Sequence, residues 1–189
     1  MEAVRSVEPT DAELLRRAQL GDSESFGHLF ERHAPAVLRF CFRRTGDAAL
    51  AEDLTSIVFF EAWRFRERTS FFHERARPWL LGVALNVIRS QSRAERRYRD
   101  ALARLPAAPP SEPESDLAIA RLDAERQMRE ILRAVSKLGR RERDVVELCL
   151  WESLSTEEAS EALGISEGAV RSRLSRARRR LPLLEAVTA

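Results

Sequence analysis

The stretch Leu154-Ser-Thr-Glu-Glu-Ala-Ser-Glu-Ala-Leu-Gly-Ile-Ser-Glu-Gly-Ala-Val-Arg-Ser-Arg-Leu-Ser-Arg-Ala-Arg-Arg-Arg-Leu181 reads as two short helices with a tight turn between them. Ser155 is a good N-cap, and Glu158 three residues on completes a capping box. Ala159, Ala162 and Leu163 give the first helix a small, apolar inner face. Gly164 suits the left-handed conformation that often closes a helix. Ile165 is placed to plug the core, and Ser166 to cap the second helix. Val170, Leu174, Ala177 and Leu181 then recur at helical spacing.

Between those apolar positions lie Arg171, Arg173, Arg176, Arg178, Arg179 and Arg180, so residues 164–181 carry a net +5 against the single Glu167. This is the layout of a helix-turn-helix, whose second helix enters the DNA major groove. Arginine suits the task because its planar fork binds phosphate, or a guanine edge, in a bidentate way. A solvated basic face is the plainer explanation of the charge alone. The caps, the turn glycine and the apolar spacing together favour DNA binding.

Charge is distributed unevenly over the 189 residues, although the net is only +2. Residues 1–31 hold three Arg and seven acids, a net of −4, whereas residues 64–99 hold ten Arg and three Glu, a net of +7. Residues 100–125 return to −4. Separate basic and acidic faces suggest more than one kind of partner. Cys41 and Cys149 stand far apart in apolar, helical surroundings and form no CxxC, so buried free thiols are expected. His28, His33 and His73 have no metal spacing with them, and no cofactor is expected. No apolar run approaches the ~18 residues of a membrane span, and no secretion signal is visible, so a cytoplasmic protein is expected.

Nearly everything reads helical. Thr10 and Glu13 form a capping box for a helix over 11–20, and a second helical stretch runs from about 23 to 44. Phe26, Leu29, Phe30, Val37, Leu38 and Cys41 mark its inner side, and Pro35 is expected to kink or split it. Asp47 caps a helix running to about Arg66, with Leu50, Leu54, Ile57 and Val58 on one face and Phe59, Phe60 and Trp63 broadening it. Residues 66–76 form a polar loop, and Pro78 fits the first turn of a helix to about Arg97. Residues 105–115 contain four prolines and no apolar period, which predicts a semi-extended linker reaching ~30 Å. Helical pattern resumes over 116–137 and 140–152. The expected fold is all-α: two small helical domains, residues 1–99 and 122–189, joined by a flexible Pro-rich linker over 100–121.

Within the first domain, Asn86, Arg89, Ser90, Arg93, Arg96 and Arg97 make a polar, basic stripe, with Phe71, Phe72 and Trp79 close by in sequence. Flat rings beside arginines are what unpaired bases need, for stacking and for backbone charge. The plainer alternatives are a core Trp79, a solvated arginine face and an Asn86 that satisfies nearby backbone.

Together the segments resemble an extracytoplasmic-function sigma factor of bacterial RNA polymerase. The matching stretches, in the family's order, are Asp11-Ala-Glu-Leu-Leu through Phe26, the Ala51-Glu-Asp-Leu run ending at Trp63, Pro78-Trp-Leu-Leu-Gly-Val-Ala-Leu-Asn86, and the final helix-turn-helix with Val170-Arg-Ser-Arg-Leu174. The resemblance implies a promoter-specificity subunit that binds core RNA polymerase, recognises promoter DNA and helps to open it, with no catalysis, membrane or small-molecule substrate of its own. The Glu52–Trp63 helix would meet the polymerase clamp, with Glu52, Asp53, Ser56, Phe60 and Glu61 as contacts. The minus-ten element would fall to Phe71, Phe72, Trp79, Asn86, Arg89, Ser90, Arg93, Arg96 and Arg97. The minus-thirty-five element would fall to Ser166, Arg171, Ser172, Arg173, Arg176 and Arg178. The linker, with Glu112, Glu114 and Asp116, would thread toward the RNA exit path, and an anti-sigma protein is the usual regulator. Ser56 stands where the family often has Gln, and Ala159-Ser160 where it often has Ile-Ala. Two other classes fit less well. A free-standing helix-turn-helix regulator leaves the Ala51–Trp63 and Trp79–Asn86 segments unexplained, and an enzyme lacks any nucleophile elbow, phosphate loop or ligand cluster.

Overall fold

Local capping starts most of the helices. The computed structural model describes residues 8–69, 74–102, 135 and 137–180, and in these the regular structure is helical throughout. Helix α1 spans Asp11–Gln19 behind the expected capping box: the Glu13 N–H donates to Thr10 Oγ1 at 3.2 Å, and the Thr10 N–H to Glu13 Oε2 at 2.8 Å. Helix α2, Ser23–Thr45, is capped by Asp22 and closed by Gly46 at φ +71°. Helix α3, Ala48–Phe65, starts at Asp47, whose Oδ1 accepts the Leu50 N–H at 3.1 Å. A 3-10 turn, Arg66–Arg68, follows, and helix α4 runs from Ala76 to Leu102. Helix α5, Arg140–Val146, continues into one π-helical turn, Glu147–Trp151. Helix α6 is Thr156–Leu163 and helix α7 is Glu167–Arg180.

Three sequence expectations change. Of the kink or split expected at Pro35, the split is absent: α2 is continuous over 23 residues. Proline removes one N–H donor, a loss the surrounding packing of Leu29, Val37, Phe40 and Cys41 outweighs. Ile57 and Phe60 do not line the core: they are 44% and 64% exposed. Ala51, Leu54, Thr55, Val58, Phe59 and Ala62 take the inner face instead. The helix expected over 140–152 changes register in its last turn. The proposed linker, residues 105–115, and the helix expected over 116–134 lie outside the described residues.

The chain divides into two compact units, residues 1–89 with 154–167, and residues 90–153 with 168–189. The first unit is built on Leu14, Leu29, Val37, Phe40, Leu54, Val58, Leu80, Leu81 and Leu85, all at most 2% exposed. Each such side chain contributes roughly 1.5–3 kcal/mol by leaving water. In the second unit Val135, Leu138, Val146 and Ala177 form a core, with Leu150 and Trp151 packed against it.

Asp11 fastens three helices of the first unit. Its carboxylate accepts from Arg32 Nη1 at 2.7 Å, His33 Nε2 at 2.8 Å and the Ala76 N–H at 2.9 Å. Burial opposes its ionisation, but the bonds from His33, Ala76 and Arg32 prevail and hold the carboxyl at about 2. The start of α4 is thereby tied to α1 and α2.

Candidate nucleic-acid and polymerase surfaces

The exposed side of α3 is the first candidate surface. Glu52, Asp53, Ser56, Ile57 and Phe60 recur on it at helical spacing and all are exposed, with Glu61 half-buried beside them. Ser56 Oγ donates to the Glu52 carbonyl at 3.2 Å, and Arg64 donates to Glu61 Oε1 at 3.1 Å. Acids therefore flank two large apolar side chains that the fold leaves outside. Ile57 and Phe60 are 44% and 64% exposed, an apolar pair on the outer side of α3.

The second surface is the entry to α4. Gln19 donates from Nε2 to the carbonyls of Arg66 and Thr69, both at 2.8 Å, and Arg66 donates to the carbonyls of Ala18 and Trp63. The Arg66 guanidinium also lies 3.9 Å from the Trp63 ring centre. These bonds fix the root of the 66–76 loop. Sequence reading missed Gln19, because its partners stand 47 and 50 residues away. Phe71 and Phe72 lie outside the described residues.

On α4, Trp79 is half-buried, so it is neither a fully enclosed core residue nor a free platform. Asn86 is exposed, and its side-chain oxygen accepts from Arg89 Nη1 at 3.2 Å. The amide oxygen thus meets a neighbouring side chain on the same helix. Ser90, Arg93, Arg96 and Arg97 are exposed further along the helix, and Arg89 is half-buried. Trp79, Val83 and Asn86 line a shallow pocket of about 280 Å³ together with residues 161–164, all within the first unit.

The third surface belongs to the C-terminal helices. The Ser155–Glu158 capping box forms as read, with the Glu158 N–H 3.0 Å from Ser155 Oγ and the Ser155 N–H 2.9 Å from Glu158 Oε2. Gly164 closes α6 at φ +62°, a conformation that favours glycine. Val170, Leu174 and Ala177 are buried on α7, while Arg171, Ser172, Arg176 and Arg178 are exposed and Arg173 is half-buried. Ser166, also exposed, sits one residue before α7. Glu142 on α5 receives Arg180 at 3.1 Å and Arg176 at 4.0 Å, which anchors one flank of the arginine helix within the second unit.

Burial raises the thiols of both cysteines, with that of Cys149 pushed up to about 11, so neither is an activated nucleophile. Among the described residues no group of three His, Cys, Asp or Glu side chains is placed to hold a metal, and no helix is long and apolar enough to cross a membrane.

Two family patterns match the chain. That of Sigma-70 region 2 covers residues 29–98, and that of Sigma-70, region 4 covers residues 128–181. The ECF RNA polymerase sigma factor SigL of Mycobacterium tuberculosis is 34% identical over 156 residues, which is 82% of this chain and 85% of SigL. The RNA polymerase sigma factor CarQ of Myxococcus xanthus is 34% identical over 167 residues, 86% of this chain and 90% of CarQ. Among solved structures, CnrH in complex with the cytosolic domain of CnrY matches with a TM-score of 0.62 at 26% identity, covering 95% of this chain and 99% of that one.

Proposed function

The chain belongs to the extracytoplasmic-function sigma factors of RNA polymerase, and from that premise we propose how its surfaces divide the work of a promoter-specificity subunit. The observation that carries the assignment is the ordered pair of regions, region 2 over 29–98 followed by region 4 over 128–181, in one chain that spans most of its relatives. Such a subunit directs core polymerase to promoters and leaves the bond-making to the polymerase.

The exposed α3 stripe of Glu52, Asp53, Ser56, Phe60 and Glu61 docks on the polymerase clamp. Its acids suit a basic partner and tune the association rate, and its exposed Phe60 supplies an apolar anchor. Ile57 joins this set because the fold leaves it outside. The 66–76 loop, with Phe71 and Phe72, and the α4 residues Trp79, Asn86, Arg89, Ser90, Arg93, Arg96 and Arg97 bind the minus-ten element. Phosphate contacts fix register, and Asn86 offers a donor and an acceptor to a base that has left the stack. Ser166, Arg171, Ser172, Arg173, Arg176 and Arg178 read the minus-thirty-five element from the major groove. The proline-rich segment joins the two DNA-binding domains, and an anti-sigma protein of the same compartment, the cytoplasm, controls access to them.

The test is a gel-shift comparison on promoter duplex. A sigma factor binds tightly only as part of the holoenzyme, so the free chain is expected to shift little and the chain with core polymerase to shift fully. Equally tight binding by the chain alone, on a palindromic site, would instead indicate a free-standing dimeric regulator.

A further inference from the structure

Glu142 stands third in α5, where a glutamate often folds back to cap its own helix. No side-chain cap forms there, because the helix starts at Gly139. The Glu142 carboxylate crosses to α7 instead, within the second unit. Its Oε2 accepts from Arg180 Nη1 at 3.1 Å, and its Oε1 lies 4.0 Å from Arg176 Nε. These two arginines are four residues apart, neighbours on one face of the helix. The Glu142 side chain is only 13% exposed, whereas those of Arg176 and Arg180 are 59% and 65% exposed. The acid sits at the root of two guanidiniums that reach outward.

The two contacts differ in kind. Arg180 commits an Nη hydrogen to a hydrogen bond with the acid. Arg176 at 4.0 Å makes an ion pair without a hydrogen bond, and the atom that faces the acid is Nε. Its Nη1–Nη2 edge is left for a bidentate contact of the kind that reads guanine O6 and N7. Residues 168–180 carry six arginines and no acid, so α7 attracts any duplex whatever its sequence. An acid at its root subtracts from that general attraction and gives one arginine a direction.

We propose that Glu142 is a positioning residue for promoter specificity: it holds the Nε side of Arg176, so that the Nη edge meets a base, and it keeps Arg180 from the phosphates. The inference rests on reading α7 as the minus-thirty-five helix. Glu142 itself touches no DNA. It lowers affinity for every sequence and sharpens the choice among them, which is the balance a specificity subunit needs.

The test uses the full chain assembled with core polymerase and a duplex DNA library randomised through the minus-thirty-five region, with the bound molecules sequenced. Arg176→Ala should lose preference at one base pair, which marks the position Arg176 reads. Glu142→Ala should weaken preference at that same base pair by about three- to tenfold, and adding it to Arg176→Ala should cost nothing further there. On a scrambled duplex, Glu142→Ala should bind about two- to threefold more tightly, with a log–log salt slope steeper by about one as Arg180 turns to phosphate. Glu142→Gln, which keeps the size and loses the charge, should move both readings in the same directions, and melting curves check that the variants stay folded. A role confined to bracing α5 against α7 would instead lower the melting temperature and weaken binding to selected and scrambled duplexes alike; that result overturns the proposal. So does an unchanged preference at the Arg176 base pair in both Glu142 variants. The control separates the causes: if Arg176→Ala leaves every base preference intact, the reading of α7 fails as well, whereas a loss in Arg176→Ala alone rejects only the role of Glu142.

Discussion

Replacing Asp11 with Asn should destabilise the first unit by an amount set by pH. Asp11 is the common acceptor for Arg32, His33 and the Ala76 N–H, and its side chain is 11% exposed. Its carboxyl is lowered from 3.8 to about 2. At 1.36 kcal/mol per pKa unit, this difference corresponds to about 2.5 kcal/mol of stability at neutral pH. The sign follows from the direction: the unfolded chain takes up the proton more readily, so the contribution is full well above 3.8 and fades as pH falls toward 2. About half of it should remain at pH 3. Asn keeps the shape and one acceptor for the Ala76 N–H but loses the charge that Arg32 and His33 meet. Urea unfolding of wild type and Asp11→Asn at pH 7 and at pH 3, followed by circular dichroism, reads the difference directly. A gap below about 0.5 kcal/mol at pH 7, or one of the same size at both pH values, would refute the argument.

Other substitutions probe the separate surfaces. Arg171→Ala and Arg176→Ala should each cost roughly 1–3 kcal/mol in promoter binding by the holoenzyme and relax specificity at one position, measured by competition among single-base variants of the minus-thirty-five element. Charge reversal at Asp53 and Glu61 together should slow association with core polymerase, most at low salt, while the melting curve stays put; surface-captured core reads the rate. Asn86→Ala should impair opening of duplex promoter yet largely spare a template whose minus-ten region is already mismatched, as seen by permanganate footprinting. Cys149, with its thiol pushed up to about 11, should react with a maleimide far more slowly at pH 8 than free cysteine does.

What the sequence made legible was local. Both capping boxes, Thr10–Glu13 and Ser155–Glu158, depend on residues three apart, and both form. Gly164 and the Val170–Leu174–Ala177 stripe are likewise short-range signals. In α3 the apolar pattern is ambiguous. Leu54, Ile57, Val58, Phe59, Phe60 and Trp63 surround so much of the helix that periodicity alone does not say which edge is core. Packing against α2 chose Val58 and Phe59 and left Ile57 and Phe60 outside. Long-range ties were invisible for a different reason. The bonds from Gln19 to Thr69, from the Ala76 N–H to Asp11 and from Arg75 to Glu158 span 50, 65 and 83 residues, and no spacing rule reaches that far. Gly82 looked like one residue in an apolar run until its approach to Ala162 gave it a purpose.

As a sigma factor, this chain supplies promoter specificity to a polymerase that lacks it. Transcription of fragmented DNA from the source organism by its own core polymerase, with and without the chain, tests that claim when the transcript 5′ ends are sequenced. New, discrete start sites should appear only with the chain and share two sequence blocks, near minus ten and minus thirty-five. Start sites indistinguishable from those of core polymerase alone, with a chain shown to be folded, would contradict it.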